Sequence, residues 1–417
     1  MKYQKLRGTE DIISPQIELW QEIESISRDL FEVSGYKEIK TPIVEFLQLF
    51  QRSIGKNTDI VEKEIFQFQD RSERKIALRP EATASIVRAY LECGLYQNPG
   101  LTKLYYIGPM FRAERPQKGR KRQFYQVGIE AIGSLNPEID AEVIWLVKKL
   151  LDNLGVDDFR IEINSLGCDD DKIKIVDYLK GEISKNLDHF CQNCQNRFER
   201  NVLRVLDCKN PDCKSCLKNL KIDIKTVICK NCMQHYNEVK SLLTVLGVQY
   251  EENKYLVRGL DYYTRTVFEV LNYNLGAQNV ICAGGRYDNL VEEMGGKPTG
   301  AVGFALGMER IAMLLEDRSK KKIELDIFLI LQDRMFLKEA LKELINLREN
   351  GIYAEMDYQS RSLKSQMRLA NEKKARYVLI LGQKEWEKGE FCLKDMKTGS
   401  QINIKKEKLL EVINRII

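Results

Sequence analysis

The stretch from Gly108 to Gly133, GPMFRAERPQKGRKRQFYQVGIEAIG, constrains this chain more than any other. It reads as strand, basic loop, strand. In its second half Tyr125, Val127, Ile129 and Ala131 alternate with Gln126, Gly128 and Glu130, the period-two pattern of a half-buried strand. That parity puts Gln126 and Glu130 on one face with the side-chain-free Gly128 between them, where a small polar ligand could lie against a sheet. The connection, Glu114 to Arg122, carries Arg115, Lys118, Arg120, Lys121 and Arg122 against a single acid. A tight hairpin would use a short Gly/Asn turn. A long cationic connection is therefore either a solvated loop or the approach to a phosphate-rich partner.

With 417 residues the chain has room for two or three domains, each with its own core. A net charge of +5 is mild for this length, so contact with nucleic acid has to come from local patches. The start, MKYQKLRGTEDI, lacks the apolar centre of a signal peptide, and no later run reaches membrane-spanning length. Eleven cysteines in such a chain point to reduced thiols or metal in a cytoplasmic setting. Only two histidines occur, His189 and His235, both in the cysteine-bearing middle. A histidine dyad or triad in the main body is thereby excluded, and arginines, carboxylates and tyrosines must carry the site.

Residues 15 to 34 have helical spacing (Leu19, Ile23, Ile26, Leu30) and end at Gly35. GYKEIKTPIVEF follows, a short strand interrupted by Pro42 and so suited to a sheet edge or an interface. In residues 76 to 90 an extended start enters a helix near Thr83. Arg79 and Glu81 flank Pro80 there, and capping of the helix by Glu81 or Thr83 is the plain structural role. Arg112 shares the parity of Met110 at the end of its strand, where a side chain can enter a site. A helix is predicted over 138–154 and a strand over 159–166.

From Gly167 to about Gly247 the texture becomes helical and rich in Lys and Asn. This span carries Cys168, Cys191, Cys194, Cys208, Cys213, Cys216, Cys229 and Cys232, and it reads as an inserted helical subdomain. Cys191/Cys194, Cys213/Cys216 and Cys229/Cys232 have the C-x2-C spacing of tetrahedral zinc sites. The alternatives are a structural zinc, with Cys191, Cys194, Cys229 and Cys232 as candidate ligands, or free, partly buried thiols. A closed four-cysteine site has no open position for chemistry, so such a zinc would be architectural.

In KYLVRGLDYYTRTVFEV, Arg258, Asp261, Tyr262 and Tyr263 cluster at the Gly259 turn. A permanent cation beside two phenols suits an anionic ligand with a planar ring, or else Arg258 and Asp261 form a surface pair. NVICAGGRYDNL ends a strand in a double glycine, which lets a backbone approach a ligand closely. In TGAVGFALGMERIAMLL a Gly-rich strand runs into a helix whose first turn holds Arg310. A cation there opposes the helix dipole, so Arg310 is either solvated or offset by a bound anion. After a charged linker at 316–325, strand and helix alternate: strands at 327–331, 352–356 and 377–381, helices at 336–350 and 363–373. That pattern makes a separate α/β domain. Lys364 and Arg368 give its second helix a basic face that fits RNA or plain solvent.

Taken together, these residues resemble the histidyl-tRNA synthetases, a class II aminoacyl-tRNA synthetase family, over essentially the whole chain. KLRGTEDI, GYKEIKTPIVEF (motif 1), FRAERPQKGRKRQFYQVGIE (motif 2) and AVGFALGMERI (motif 3) are similar to that family. RGLDYYT and AGGRYD set it apart from other class II enzymes. The resemblance implies an α+β fold: an antiparallel-sheet catalytic domain over 1–322 with the helical insertion at about 168–247, then an α/β anticodon-binding domain over 323–417. It implies activation of L-histidine by ATP with magnesium, release of pyrophosphate, and transfer of the histidyl group to the 3′ end of tRNA(His). Motif 1 implies a homodimer.

The resemblance also implies roles for single residues. Glu81, Thr83 and Gln126 would hold the α-amino end of histidine. Glu130, with Tyr262, Tyr263 and Tyr287, would read the imidazole. Arg112 and Arg310 would bind the ATP phosphates, and Arg258 would sit at the α-phosphate; Arg258 and Arg112 would be the catalytic residues and would also touch histidine. Arg115 and Gln117 would meet the tRNA acceptor end. Two departures from the family pattern stand out: Ala82 where glycine is frequent, and Tyr125 where histidine is frequent but on the apolar side of its strand. The rival readings are a histidine-binding regulatory relative and a sensor of uncharged tRNA. The first usually lacks the RGLDYYT arginine and the anticodon domain, and the second would have degenerate ATP residues. This chain keeps Arg112, Arg258 and Arg310.

Overall fold

A computed structural model describes residues 3–55, 58, 60–316 and 325–417. The charged linker expected at 316–325, and with it the 322/323 boundary, falls outside these apart from residues 316 and 325. Chain contacts divide the protein into two compact units, Met1–Lys320 and Lys321–Ile417.

The first unit contains strands β1 (Lys37–Glu38), β2 (Val44–Phe46), β3 (Gln67–Gln69), β4 (Lys75–Leu78), β5 (Thr102–Phe111) and β6 (Gln123–Ile132). It continues with β7 (Phe159–Ser165), β8 (Glu251–Glu252), β9 (Thr264–Asn272), β10 (Val280–Arg286) and β11 (Ala301–Gly307). Eight of them form one sheet in the order β1-β5-β6-β11-β10-β9-β7-β8. The inner pairs are all antiparallel, and only the two-residue edge strands β1 and β8 run parallel to their neighbours. GYKEIKTPIVEF splits at Pro42 between two sheets. β1 edges the large sheet, and β2 edges a three-stranded sheet of order β2-β4-β3.

The alternation in β6 sorts its side chains as the sequence requires. Val127, Ile129 and Ala131 enter a core beneath helices Gln16–Val33 and Pro137–Leu154, with Tyr125 packed against it. Helix Pro137–Leu154 carries its own start and stop signals. Pro137 opens it, Glu138 and Asp140 sit in its first turn, and Gly155 ends it in the left-handed region. Helix Lys230–Val245 closes the same core with Tyr236, Val239 and Leu243. The last helix of the span read as an insertion is thus part of the main scaffold. His235 clamps it there, with Nε2 at 2.8 Å from Asp140 Oδ2, while Arg286 holds the other oxygen of Asp140.

The second unit is a mixed five-stranded sheet: β12 (Ile327–Leu331), β13 (Ala354–Met356), β14 (Tyr377–Leu381), β15 (Glu390–Asp395) and β16 (Gln401–Lys405), in the order β13-β12-β14-β15-β16. Its β12 to β14 portion is the alternating pattern read from sequence. The antiparallel β15–β16 hairpin and the closing helix Leu409–Ile416 complete it. Among the described residues no helix is long and apolar enough to cross a membrane.

Candidate active site

The face of β6 opposite the helical core forms the floor of a cleft of about 1270 Å³ lined by Glu81, Thr83, Arg112, Gln126, Glu130, Arg258, Tyr262, Tyr263, Tyr287 and Arg310. All histidine-binding and ATP-binding candidates named from sequence therefore meet in one space. Of the tRNA candidates, Gln117 lines the cleft, and Arg115 is exposed on the same loop.

Glu130 is the centre of the floor. Its Oε1 accepts a hydrogen bond from the Thr83 hydroxyl at 2.6 Å, and its Oε2 accepts one from the Tyr287 hydroxyl. Burial pushes the Glu130 carboxyl up to about 8; the two hydroxyls pull it down, and the nearby Glu81 adds to the rise. Across the strands, Gly303 of β11 stands in register with Glu130, and Tyr106 of β5 with Gly128. A methyl group on Gly303 would overlap the Glu130 carboxylate, and one on Gly128 would overlap the Tyr106 hydroxyl. Sequence reasoning missed Gly303 and Tyr106, because the register that brings them here is a long-range property.

Glu81 caps helix Thr83–Glu92, its two oxygens accepting from Thr83 N at 2.7 Å and Ala84 N at 3.0 Å. Its carboxyl is raised by burial against the pull of those same amides. Arg79, its neighbour across Pro80, belongs to the scaffold, donating to the carbonyls of Pro109 and Thr41. Gln126 Oε1 is buried on the cleft side of β6 with no hydrogen-bond partner.

Tyr262, Tyr263 and Tyr287 make an aromatic wall, with ring centroids 4.7 Å apart for Tyr262–Tyr263 and 5.7 Å for Tyr262–Tyr287. Arg258 lies 5.6 Å from the centroid of the Tyr263 ring. The surface pair between Arg258 and Asp261 does not form. Arg258 is bonded instead to Glu269 of β9, is largely shielded from solvent, and keeps a buried Nε without a partner. Burial lowers the proton affinity of this guanidinium, but Glu269 and the phenols outweigh it and the net shift is upward. Asp261 is turned toward Asn201, whose amide reaches it at 3.2 Å.

At the other end of the cleft Arg112 donates to Pro80 O at 3.0 Å and lies 5.1 Å from the centroid of the Phe124 ring. Arg310, in the first turn of helix Met308–Leu314, donates to Gly119 O at 3.3 Å and to Val280 O. Burial lowers its proton affinity and the neighbouring Arg120 adds to the effect, which marks a site with positive charge to spare. The basic loop is folded back on itself by paired backbone bonds between Gln117 and Arg120. Arg120 pairs with Glu114 at 3.1 Å, and Lys121 with Glu10. Of the two departures noted in sequence, Ala82 is buried and Tyr125 packs edge-on against Trp20, with centroids 6.4 Å apart. No histidine is among the lining residues of the cleft.

The zinc ligands named from sequence do not converge. Cys191 and Cys194 gather with Cys208 and Cys213, whereas Cys229 and Cys232 gather with Cys168 and Asp171. The two C-x2-C pairs open helices Gln192–Arg200 and Lys230–Val245, and the fold brings each of these helix starts to a different set of companions. The third pair, Cys213/Cys216, is divided, with Cys216 Sγ 3.7 Å from His189 O.

Comparison with known proteins bears on the same residues. Residues 8–311 match the family model described as histidyl-tRNA synthetase, and residues 326–416 match that described as anticodon binding domain. The chain is 47% identical over 416 residues to the histidine–tRNA ligase of Thermodesulfovibrio yellowstonii, covering 100% of this chain and 99% of that one. It is 45% identical over 414 residues to the histidine–tRNA ligase of Halothermothrix orenii, covering 99% of each. Among solved structures, apo S. aureus histidyl-tRNA synthetase is similar with a TM-score of 0.81, 34% identity and 99% coverage of both chains.

Proposed function

The chain belongs to the histidyl-tRNA synthetase family and joins histidine to tRNA(His) at the expense of ATP; on that premise we propose which of its residues carry each part of the reaction. The observation that carries the reading is the buried Glu130 carboxyl bonded to Thr83 and Tyr287 at the base of an aromatic wall. A buried group of this kind needs a polar partner, and an imidazole supplies one where a plain hydrocarbon side chain would not. Glu130 thus reads the imidazole, with Tyr262, Tyr263 and Tyr287 enclosing the ring.

An amino acid brings a donor, its ammonium, and an acceptor, its carboxylate. The cleft holds a buried acceptor, Gln126 Oε1, and a buried donor, Arg258 Nε, neither with a partner. Gln126 with Glu81 and Thr83 takes the ammonium, and Arg258 draws the carboxylate toward the α-phosphate. Arg112 and Arg310 hold the remaining phosphate charge. Magnesium accompanying ATP would supply positive charge against the phosphates, and Glu114 and Glu309, the acids beside Arg310, would be the residues to hold it, Glu114 turning from Arg120 and Glu309 from Tyr125 N. The attacking carboxylate is already ionised, so positioning and electrostatics suffice and no general base is required. That agrees with a cleft free of histidine.

Arg115 and Gln117 then meet the tRNA acceptor end, and the second unit reads the anticodon, with Lys364 and Arg368 exposed on helix Leu363–Glu372. Exposed Val44, Phe46 and Phe68 on the three-stranded sheet supply apolar surface for a homodimer. A cytoplasmic setting agrees with the eleven unpaired cysteines.

Histidine-dependent ATP–pyrophosphate exchange tests the assignment. Exchange is expected with histidine and with no other amino acid, and its absence in folded protein would refute the reading. Arg258→Ala is expected to abolish exchange while calorimetry still detects histidine binding; normal exchange in that variant would remove Arg258 from its role.

A further inference from the structure

The reaction proposed above gives the cysteines of the middle segment no part, yet the fold collects seven of them, with one aspartate, into two groups. We propose that the chain holds two separate structural zinc ions, one bound by Cys191, Cys194, Cys208 and Cys213 and the other by Cys168, Asp171, Cys229 and Cys232. In each group the ligand atoms all lie within 4.8 Å of one another. A tetrahedral zinc with bonds of about 2.3 Å sets its sulfurs about 3.8 Å apart, and Cys191 and Cys208 have Sγ atoms 3.9 Å apart. Four atoms converge on one point, which suits a metal; disulfides would draw them together two by two.

Backbone geometry supports thiolate charge at both sites. Cys191 N donates to Cys213 Sγ at 3.2 Å, and Cys232 N to Cys229 Sγ at 3.5 Å. Asp171 is buried and oriented from both ends of its site, accepting from Cys229 N at 3.0 Å and Cys168 N at 3.3 Å. Each group also gathers the starts of two helices, where the dipole favours anions: Gln192–Arg200 and Pro211–Asn219 in the first, Asp169–Ser184 and Lys230–Val245 in the second.

The segment needs such staples. Helix Gln192–Arg200 buries only Cys194, and helix Pro211–Asn219 buries only Cys213 and Leu217. Helices that short with so little apolar burial do not hold together unaided. The second site ties the point where the chain leaves β7 to the helix that rejoins the main core. The first fixes a wall of the cleft, because Cys191, Arg204, Asp207 and Cys208 line it and Arg204 donates to Gly259 O at 3.5 Å, beside Arg258. A closed set of four protein ligands leaves no position for a reacting water, so both ions are architectural.

Elemental analysis of the full chain, purified untagged in reductant without chelator, tests this. Two zinc ions per chain are expected, and both should be released when a mercurial titrates the thiols in the presence of a chromogenic chelator. Cys213→Ser and Cys232→Ser should each retain one ion, and Cys93→Ser, outside both groups, should retain two. Wild-type protein with no metal, with one ion, or with iron in place of zinc would overturn the proposal. So would loss of an ion in Cys93→Ser. The mercurial titration of the wild-type chain decides the matter even where a serine variant does not fold.

Discussion

Replacing Glu130 by Gln isolates the central carboxyl of the site. In the folded chain Glu130 ionises at about 8, against an ordinary 4.5. The gap of roughly 3.5 units, at 1.36 kcal/mol each, corresponds to about 5 kcal/mol as a ceiling on what its ionisation costs the fold. The sign follows from proton counting. Between pH 4.5 and 8 the folded chain keeps a proton on Glu130 that the unfolded chain has lost, so stability falls as pH rises through that window and levels off above it. Glutamine has nearly the shape of the protonated acid and, like it, a donor on one side and an acceptor on the other, and the hydroxyls of Thr83 and Tyr287 can each turn to suit it. Urea unfolding of the catalytic unit should therefore match between wild type and Glu130→Gln near pH 5. It should diverge by on the order of 1 kcal/mol per pH unit, with the variant the more stable, and run parallel above pH 8. The other raised carboxyls, Asp261, Glu269, Glu293 and Glu309, are common to both chains and cancel in the difference, whereas Glu81 adds to the rise of Glu130 and so contributes to the effect measured. In exchange assays the variant should lose about a hundredfold in kcat/KM for histidine, ~3 kcal/mol, with the KM for ATP unchanged. A stability gap that stays constant from pH 5 to 9 would refute the reasoning, since Glu130 would then ionise like an exposed carboxyl.

Gly303→Ala puts a methyl group into the Glu130 carboxylate and the Ile129 carbonyl. It should destabilise the unit by about 1–3 kcal/mol and impair histidine activation more than ATP binding; an unchanged KM for histidine in exchange would contradict the close approach. Arg286 is fully buried against Asp140 and Asp288. Arg286→Met should cost about 3–5 kcal/mol in unfolding, because it strips Asp140 of its counter-charge, and adding Asp140→Asn should recover part of the loss. A double variant no more stable than the single one would show that the charge of Asp140 is not what matters.

What was legible in the sequence was local. The parity of β6 places Gln126 and Glu130 on one face whatever their partners, since a strand repeats every two residues. The helix Pro137–Leu154 announces itself by Pro137, its early acids and Gly155. What could not be read was register and company. Gly303 faces Glu130, and Tyr106 faces Gly128, only because β11 and β5 flank β6 in the sheet. Nothing in the sequence spacing chooses Glu269 over the nearer Asp261 as the partner of Arg258. C-x2-C spacing shows that Cys191 and Cys194 can share a ligand, yet their companions, Cys208 and Cys213, are decided by how short helices stack. His235 fell within a segment that reads as an insertion, although its helix completes the main core.

On the roles proposed for them, the three arginines of the cleft would let this site work without a general base. Each is drawn out of solvent by folding and given a partner meanwhile: Pro80 O for Arg112, Glu269 for Arg258, Gly119 O and Val280 O for Arg310. Desolvating a guanidinium is unfavourable, and here folding has accomplished part of it before any substrate arrives. A phosphate or carboxylate entering the cleft meets cations that need little further dehydration, in a setting where each charge acts more strongly than in water. Carbonyl partners are weak competitors for such an anion, so Arg112 and Arg310 can turn to it readily. Glu269 is a stronger one. Burial raises its carboxyl while Arg258 holds it down, so in the role proposed for it Arg258 would reach the α-phosphate while tethered from behind. It can stabilise the charge developing there without following the leaving pyrophosphate.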